Sequence, residues 1–256
     1  MTSSRIWIGG GTGGGKTTTA RELAVRHGLR RFSIDSFWYA YDERWGQLRS
    51  SPDEQWLETP PEVQAAEFEE VSRRMMRFAL DDLATLPDVP TVVEGPQILP
   101  DLVPDGDQAV FLDPTPEWQR AVLLPRPMPS SDPDRALANR LVKDRLYADR
   151  VAALAHERGF PVLAMDGTRD LASEVESLLD VPEGAADLHA VRRWENEAVA
   201  ANIRAWLASP DGPRERDHAY PYACECGNRG CGETVRLTVE EFDCGERVLS
   251  PAHTLG

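Results

Sequence analysis

Four residues near the N-terminus have the types and spacing to hold a phosphate group. Gly10, Gly15, Lys16 and Thr17 satisfy G-x-x-x-x-G-K-[ST], inside a run in which six of the seven residues from Gly9 to Gly15 are glycine. Without β-carbons, successive backbone N–H groups can curl around an anion. A helix starting at this point would also aim its positive end at that anion. Gly10, Gly11, Thr12, Gly13, Gly14, Gly15, Lys16, Thr17 and Thr18 are therefore the expected nucleotide cradle. Lys16 would bridge the outer phosphates, and the Thr17 hydroxyl would hold Mg2+.

Two carboxylates follow at positions suited to the same chemistry. Asp35 closes the run RRFSID, nineteen positions beyond Lys16. A carboxylate at the carboxyl end of a strand can take a proton from an attacking hydroxyl, or hold Mg2+ through water. The competing reading is a helix cap. Glu94 closes TVVE, before Gly95, and is expected to serve the Mg2+. Phe37, Trp38 and Tyr41 follow Asp35 in a segment carrying three of the chain's seven tryptophans within nineteen residues. Together with Asp35 and Gly95 they are candidates for the acceptor site, as an aromatic wall for a planar or partly apolar molecule. Ordinary core packing is the competing reading for each ring.

A second cluster lies at the other end. Cys224, Cys226 and Cys231 have C-x-C-x4-C spacing, and Cys244 and His253 are rivals for a fourth position. Four such ligands close a tetrahedral Zn2+ site, a structural device suited to a unit too small for a core of its own.

The elements that must position these groups can be read from periodicity. RIWI, RRFSID, VPTVVEG, QAVFLDPT and FPVLAMDG are expected strands. TTTARELAVRH, with Gly28 as its stop, is an expected helix. So are the long amphipathic stretch from Pro61, the stretch from Pro133 (whole or broken) and DLASEVESLLD. Strands alternating with helices indicate an α/β parallel sheet. The pattern ends near residue 180. A linker and helix are expected over 181–208, and a Cys-rich tail over 209–256, with β-like runs at ETVRLTV and ERVLS.

The bulk numbers set limits. The 256 residues are 41% apolar, which supports a core, and the net charge is −15. That charge argues against nucleic acid as a partner. No apolar run suits a membrane span, and no leader pattern is visible, so a cytoplasmic location is expected.

The glycine loop, SIDS at the second strand and VVEG at the third together resemble the P-loop small-molecule kinases. That group includes shikimate and gluconate kinases, nucleoside monophosphate kinases and chloramphenicol phosphotransferase, and IDSF is most similar to the last. The resemblance covers about residues 5 to 180. It implies a P-loop NTPase fold, with a five-stranded parallel sheet flanked by helices and a small Cys-rich appendage. It also implies ATP, Mg2+ and a small-molecule acceptor, with Asp35 at the acceptor hydroxyl. A mobile lid would bring arginines over the transferred phosphate, and Arg140 and Arg145 are the choices here. The adenine would lie near Gly167 and Thr168.

The leading expectation is an ATP-dependent kinase of a hydroxyl-bearing metabolite or antibiotic, with structural zinc in the tail. A nucleoside or nucleotide kinase is the alternative. A nucleotide-dependent switch with a zinc docking module is the alternative from another class. Oligomeric state stays open, a homodimer being one option.

Overall fold

The computed structural model describes residues 4–46, 50–182, 184–185, 187–209, 212 and 218–253. The stretch PDGPRERDHAYP (210–221), expected as a polar loop, lies more than half outside them, and its last two residues instead start a strand. Five parallel strands form the main sheet: β1 (Arg5–Gly10), β2 (Arg30–Ser33), β3 (Thr91–Glu94), β4 (Gln108–Pro114) and β5 (Val162–Met165), in the order β2-β3-β1-β4-β5. This is the P-loop α/β architecture, with the glycine loop between β1 and the helix α1 (Lys16–His27).

Alternation along the strands divides the core in two. Trp7, Phe32, Val93, Ala109 and Phe111 face one side, under α3 (Pro61–Thr85) and α5 (Pro133–Glu157). Ile6, Ile8, Val92, Val110 and Leu112 face the other, under α1 and α6 (Leu171–Leu178). The four residues of β3 are all buried, as expected of a mostly apolar strand covered on both faces. Gly28 ends α1 at φ 68°, as its position predicts. The stretch from Pro133 is one unbroken helix, capped by the Asp132 side chain. α2 (Trp38–Trp45) follows a 3-10 turn at Ile34–Phe37, and α4 (Pro116–Leu123) follows β4.

The helix α7 (Leu188–Ala208) touches both the main sheet and the tail. Its Arg192 guanidinium donates to the carbonyls of Leu29 and Ala24 at 3.1 and 3.0 Å, closing the C-terminal end of α1. Its Ala200 and Ile203 join Tyr222, Val239, Phe242 and Val248 in a separate small core. That tail is a hairpin of β6 (Tyr220–Ala223) and β7 (Thr234–Leu237) with a short helix α8 (Val239–Cys244). The run ERVLS is not a strand. The unforeseen helix α8 precedes it, started by a capping box between Thr238 and Glu241. Among the described residues no helix is long and apolar enough to cross a membrane.

Candidate functional site

The glycine loop is built on the edge of β4. Gly10 adopts φ 114°, and a Cβ there would lie 2.1 Å from the Leu112 carbonyl, so only glycine fits this close approach. Gly11 N–H donates to Leu112 O at 3.0 Å, and Gly14 N–H to Gly11 O at 3.1 Å. Gly10, Gly11 and Gly14 thus form the buried rear of the loop. Thr12, Gly13, Gly15, Lys16, Thr17 and Thr18 line a cavity of about 470 Å3 at the start of α1. The Lys16 ammonium donates to Gly11 O at 2.7 Å, so its charge sits at the loop's centre. Burial holds its pKa below the usual lysine value, opposed by Asp35, Glu94 and Asp144.

Asp35 lines the same cavity. It lies in the 3-10 turn that continues β2, one residue past the buried Ile34. Partial desolvation inside the cavity lifts its carboxyl above the ordinary carboxylate range, although the side chain remains accessible to solvent. A hydrogen bond from Gln97 opposes the shift, Glu94 adds to it, and Lys16 and Arg126 oppose it. Gln97 Nε2 donates to Asp35 Oδ1 at 2.5 Å. The bare Cα of Gly95 permits this, since a Cβ there would lie 2.7 Å from Gln97 Oε1. Gly95 therefore serves the backbone turn, not a ligand contact.

Glu94 is wholly buried. Its Oε2 accepts from the Thr17 hydroxyl at 3.0 Å, while Oε1 accepts no hydrogen bond and has Arg31 Nη1 at 3.5 Å. An alcohol oxygen beside an under-partnered carboxylate oxygen is a donor set that suits Mg2+. The residues present therefore fit that ion.

The other expected residues divide. Trp38 lines a second cleft of about 660 Å3, with Trp56, Gln64, Phe68 and Lys143. Phe37 and Tyr41 do not. Phe37 stacks on Phe32 and Tyr41, and Tyr41 is buried with its hydroxyl on Asp82 at 2.8 Å. Both rings are spent on the core. Arg145 is also committed elsewhere, donating to Pro114 O at 2.9 Å and Asp113 Oδ1 at 2.7 Å. It braces the end of β4 behind Gly11. Arg140 lies over the Trp56 ring, 3.5 Å from Asp144 Oδ2. Gly167 and Thr168 do not line the cavity; Met165, Arg169 and Asp170 do. Gly167 lies under the Trp118 ring, where a Cβ would come within 2.2 Å of Cζ3. Thr168 turns back onto Asp166.

Three residues escaped the sequence reading. Arg126 lines the cavity and acts electrostatically on both Lys16 and Asp35. Its signal was the proline-rich stretch LPRPMP, where a lid would hinge. Trp118 lines the cavity and ties Gly13 O through Nε1 at 3.1 Å. Gln97, the partner of Asp35, had no sequence signal.

In the tail, Cys224, Cys226, Cys231 and His253 bring one donor atom each within 4.8 Å of one another. His253 Nδ1 lies 3.4 Å from Cys224 Sγ and 3.5 Å from Cys231 Sγ. Tetrahedral Zn2+ with 2.3 Å sulfur bonds needs ligand separations of about 3.8 Å, so the set fits zinc. Cys244 is exposed on α8 and is not in the cluster; His253 holds the fourth position.

No family model matches the chain, and no curated protein matches it. Among solved structures, a shikimate kinase from Acinetobacter baumannii in complex with shikimate is 19% identical. That likeness covers 69% of this chain and 93% of the other, with a TM-score of 0.41. A shikimate kinase from Bacteroides thetaiotaomicron is 20% identical over 68% and 95%, TM-score 0.37. An unliganded sugar kinase from Janibacter sp. is 18% identical over 70% and 95%, TM-score 0.37. The chemistry of the site has to be read from its own geometry.

Proposed function

We propose that the protein is an ATP-dependent kinase that moves the γ-phosphoryl group to a hydroxyl of a small molecule. The observation that carries this reading is Asp35, a solvent-accessible carboxylate of raised proton affinity that lines the same cavity as Lys16. A loop that only held a nucleotide would have no use for a base there.

In this reading the acceptor hydroxyl gives its proton to an Asp35 oxygen as its own oxygen forms the bond to the γ-phosphorus. The bond from that phosphorus to the departing ADP oxygen breaks. Lys16 and Arg126 stabilise the charge on the moving group. Thr17 and Glu94 would hold Mg2+, which supplies further charge neutralisation when bound. Asp35 is best placed as base because Glu94 is engaged by Thr17 and wholly buried. A cytoplasmic enzyme with structural zinc in its tail completes the proposal.

The test is ATP consumption against hydroxylated metabolites and antibiotics, with mass detection of a phosphorylated product. Lys16→Ala should abolish nucleotide-dependent turnover and leave the far-ultraviolet spectrum unchanged. Turnover at the parent rate in that variant would rule the reading out.

A further inference from the structure

The second cleft is linked to the nucleotide cavity through the chain and through a packed contact series. Trp38, three residues after Asp35, forms one wall and stacks near Phe68 at 6.4 Å between centroids. Phe68 packs edge-on against Tyr147, whose hydroxyl donates to the carbonyl of Pro96, a residue of the nucleotide cavity. Trp56 and Phe68 add apolar surface.

The polar groups of the cleft are specific about what they lack. The cation there, Lys143, is already engaged. It donates to Asp144 Oδ1 at 3.0 Å and lies 3.7 Å from the Phe68 ring centre. Drawing Lys143 onto a ligand's acid group would strand the Asp144 carboxylate, which is 2% exposed. Losing one partner of a buried ion pair is costly. Meanwhile one acceptor oxygen of the lining is short of a donor. Gln64 gives its amide N–H to Thr59 O, and its Oε1, on a side chain 5% exposed, has no hydrogen-bond donor. The carboxylates of Asp42 and Glu67 also line the cleft. A buried acceptor without a donor is costly, so a ligand supplying donors gains there.

We infer that the cleft lined by Trp38, Trp56, Phe68, Gln64, Glu67 and Lys143 takes an aminated, hydroxyl-bearing ring compound, such as an amino sugar or aminocyclitol, and discriminates against carboxylate- or phosphate-bearing acceptors. This rests on the kinase reading for the claim that the bound molecule is phosphorylated. The C–H face of such a ring lies against the tryptophans. Its hydroxyl groups supply the donor that Gln64 Oε1 lacks, and its ammonium is attracted to the carboxylates lining the cleft. Sites built around buried hydrogen-bonding groups reject analogues that leave those groups unpaired.

The experiment separates binding from transfer. Glucosamine, 2-deoxystreptamine, myo-inositol, gluconate and AMP are titrated against the full chain, with tryptophan fluorescence as readout, and then supplied with Mg2+·ATP for product detection by mass. One or both amines should bind at least about tenfold more tightly than gluconate and AMP. Gln64→Leu should weaken the amine about tenfold. Asp144→Asn should reverse the preference toward gluconate by freeing Lys143. Preference of the parent protein for gluconate or AMP, or no saturable amine binding up to roughly 10 mM, overturns the inference. Amine binding that both substitutions weaken, without any phosphorylated product, upholds the inference and overturns the kinase reading instead.

Discussion

The Gln97 amide donates to the Asp35 carboxylate at 2.5 Å, and this bond opposes the desolvation that lifts the Asp35 pKa. Hydrogen bonding to the charged form favours that form. The acid limb of kcat/KM should therefore lie above the ordinary carboxylate value in the parent. It should move to still higher pH in Gln97→Met, which keeps the volume and removes the donor. A pH–rate profile with an unmoved acid limb in Gln97→Met would count against Asp35 as the titrating base.

The same raised pKa makes Asp35 a source of instability. The folded protein holds the proton more tightly than the unfolded chain does. Stability contributed by this group is thus present below the unfolded value of about 3.8 and is lost as pH rises through the higher folded value. Asp35→Asn removes the charge, so it should raise the melting temperature at pH 7 while lowering phosphoryl transfer by roughly 10²-fold or more. ATP affinity should stay within a few-fold, because backbone N–H groups and Lys16 hold it. A melting temperature below the parent's, with transfer intact, would make Asp35 a packing or capping residue.

Arg126 and Arg145 test which arginine faces the reaction. Arg145 is spent on Asp113, Asp149 and Pro114 O, whereas Arg126 lines the nucleotide cavity. Arg126→Ala should lower kcat by about 10²-fold, the usual scale for losing one stabilising donor. Arg145→Ala should act mainly on stability. Single-turnover rates and thermal melts on both variants decide it, and equal kinetic losses would contradict the assignment.

How far the sequence could reach is seen in these arginines. The loop, its lysine and its strand–turn–helix frame are local in the chain, so spacing alone gave them. Gly28 and β3 were legible for the same reason, through φ preference and a mostly apolar run. Which arginine faces the phosphates depends on where a 25-residue helix lies against β4, which no local pattern encodes. The aromatic run likewise read as a wall, yet Trp38, Tyr39 and Trp56 line the second cleft, while Phe37 and Tyr41 were drawn into the core with Phe32 and Trp194. Choosing between Cys244 and His253 needed the tail's folded path, because both lie at workable distances along the chain.

The metal should follow that path. Purified protein is expected to carry about one zinc per chain. Cys226→Ser should lose most of it, and Cys244→Ser should keep it all, since Cys244 lies outside the cluster. Elemental analysis of the three proteins checks this. Zinc lost on changing Cys244 would contradict the ligand set, as would a parent protein without metal and with all four thiols freely titrating.

Beside the apolar contacts of Ala200 and Ile203, Asn196 ties α7 to the tail by three hydrogen bonds, and this gives the sharpest structural prediction. Asn196 Nδ2 donates to Ala223 O at 2.9 Å and to Glu225 Oε1 at 2.7 Å, while Oδ1 accepts from Ala223 N–H at 2.7 Å. The amide thus mimics a strand neighbour for the end of β6, one residue before Cys224. Asn196 and Glu225 are nearly inaccessible, so water cannot replace these bonds. Asn196→Ala would strand a backbone donor, a backbone acceptor and a carboxylate, costing roughly 3 kcal/mol or more. Asn196→Asp should be worse, because a second buried carboxylate would face Glu225 and Ala223 O with no donor to offer. For a chain of this size the loss in Asn196→Ala corresponds to a drop of roughly 6–12 °C if unfolding is two-state. If the tail melts by itself, an earlier separate transition appears with weaker zinc retention against a chelator. Calorimetry with a parallel zinc-release assay distinguishes the two. Melting within about 1 °C of the parent for both variants would mean that the α7 contact does not hold the tail.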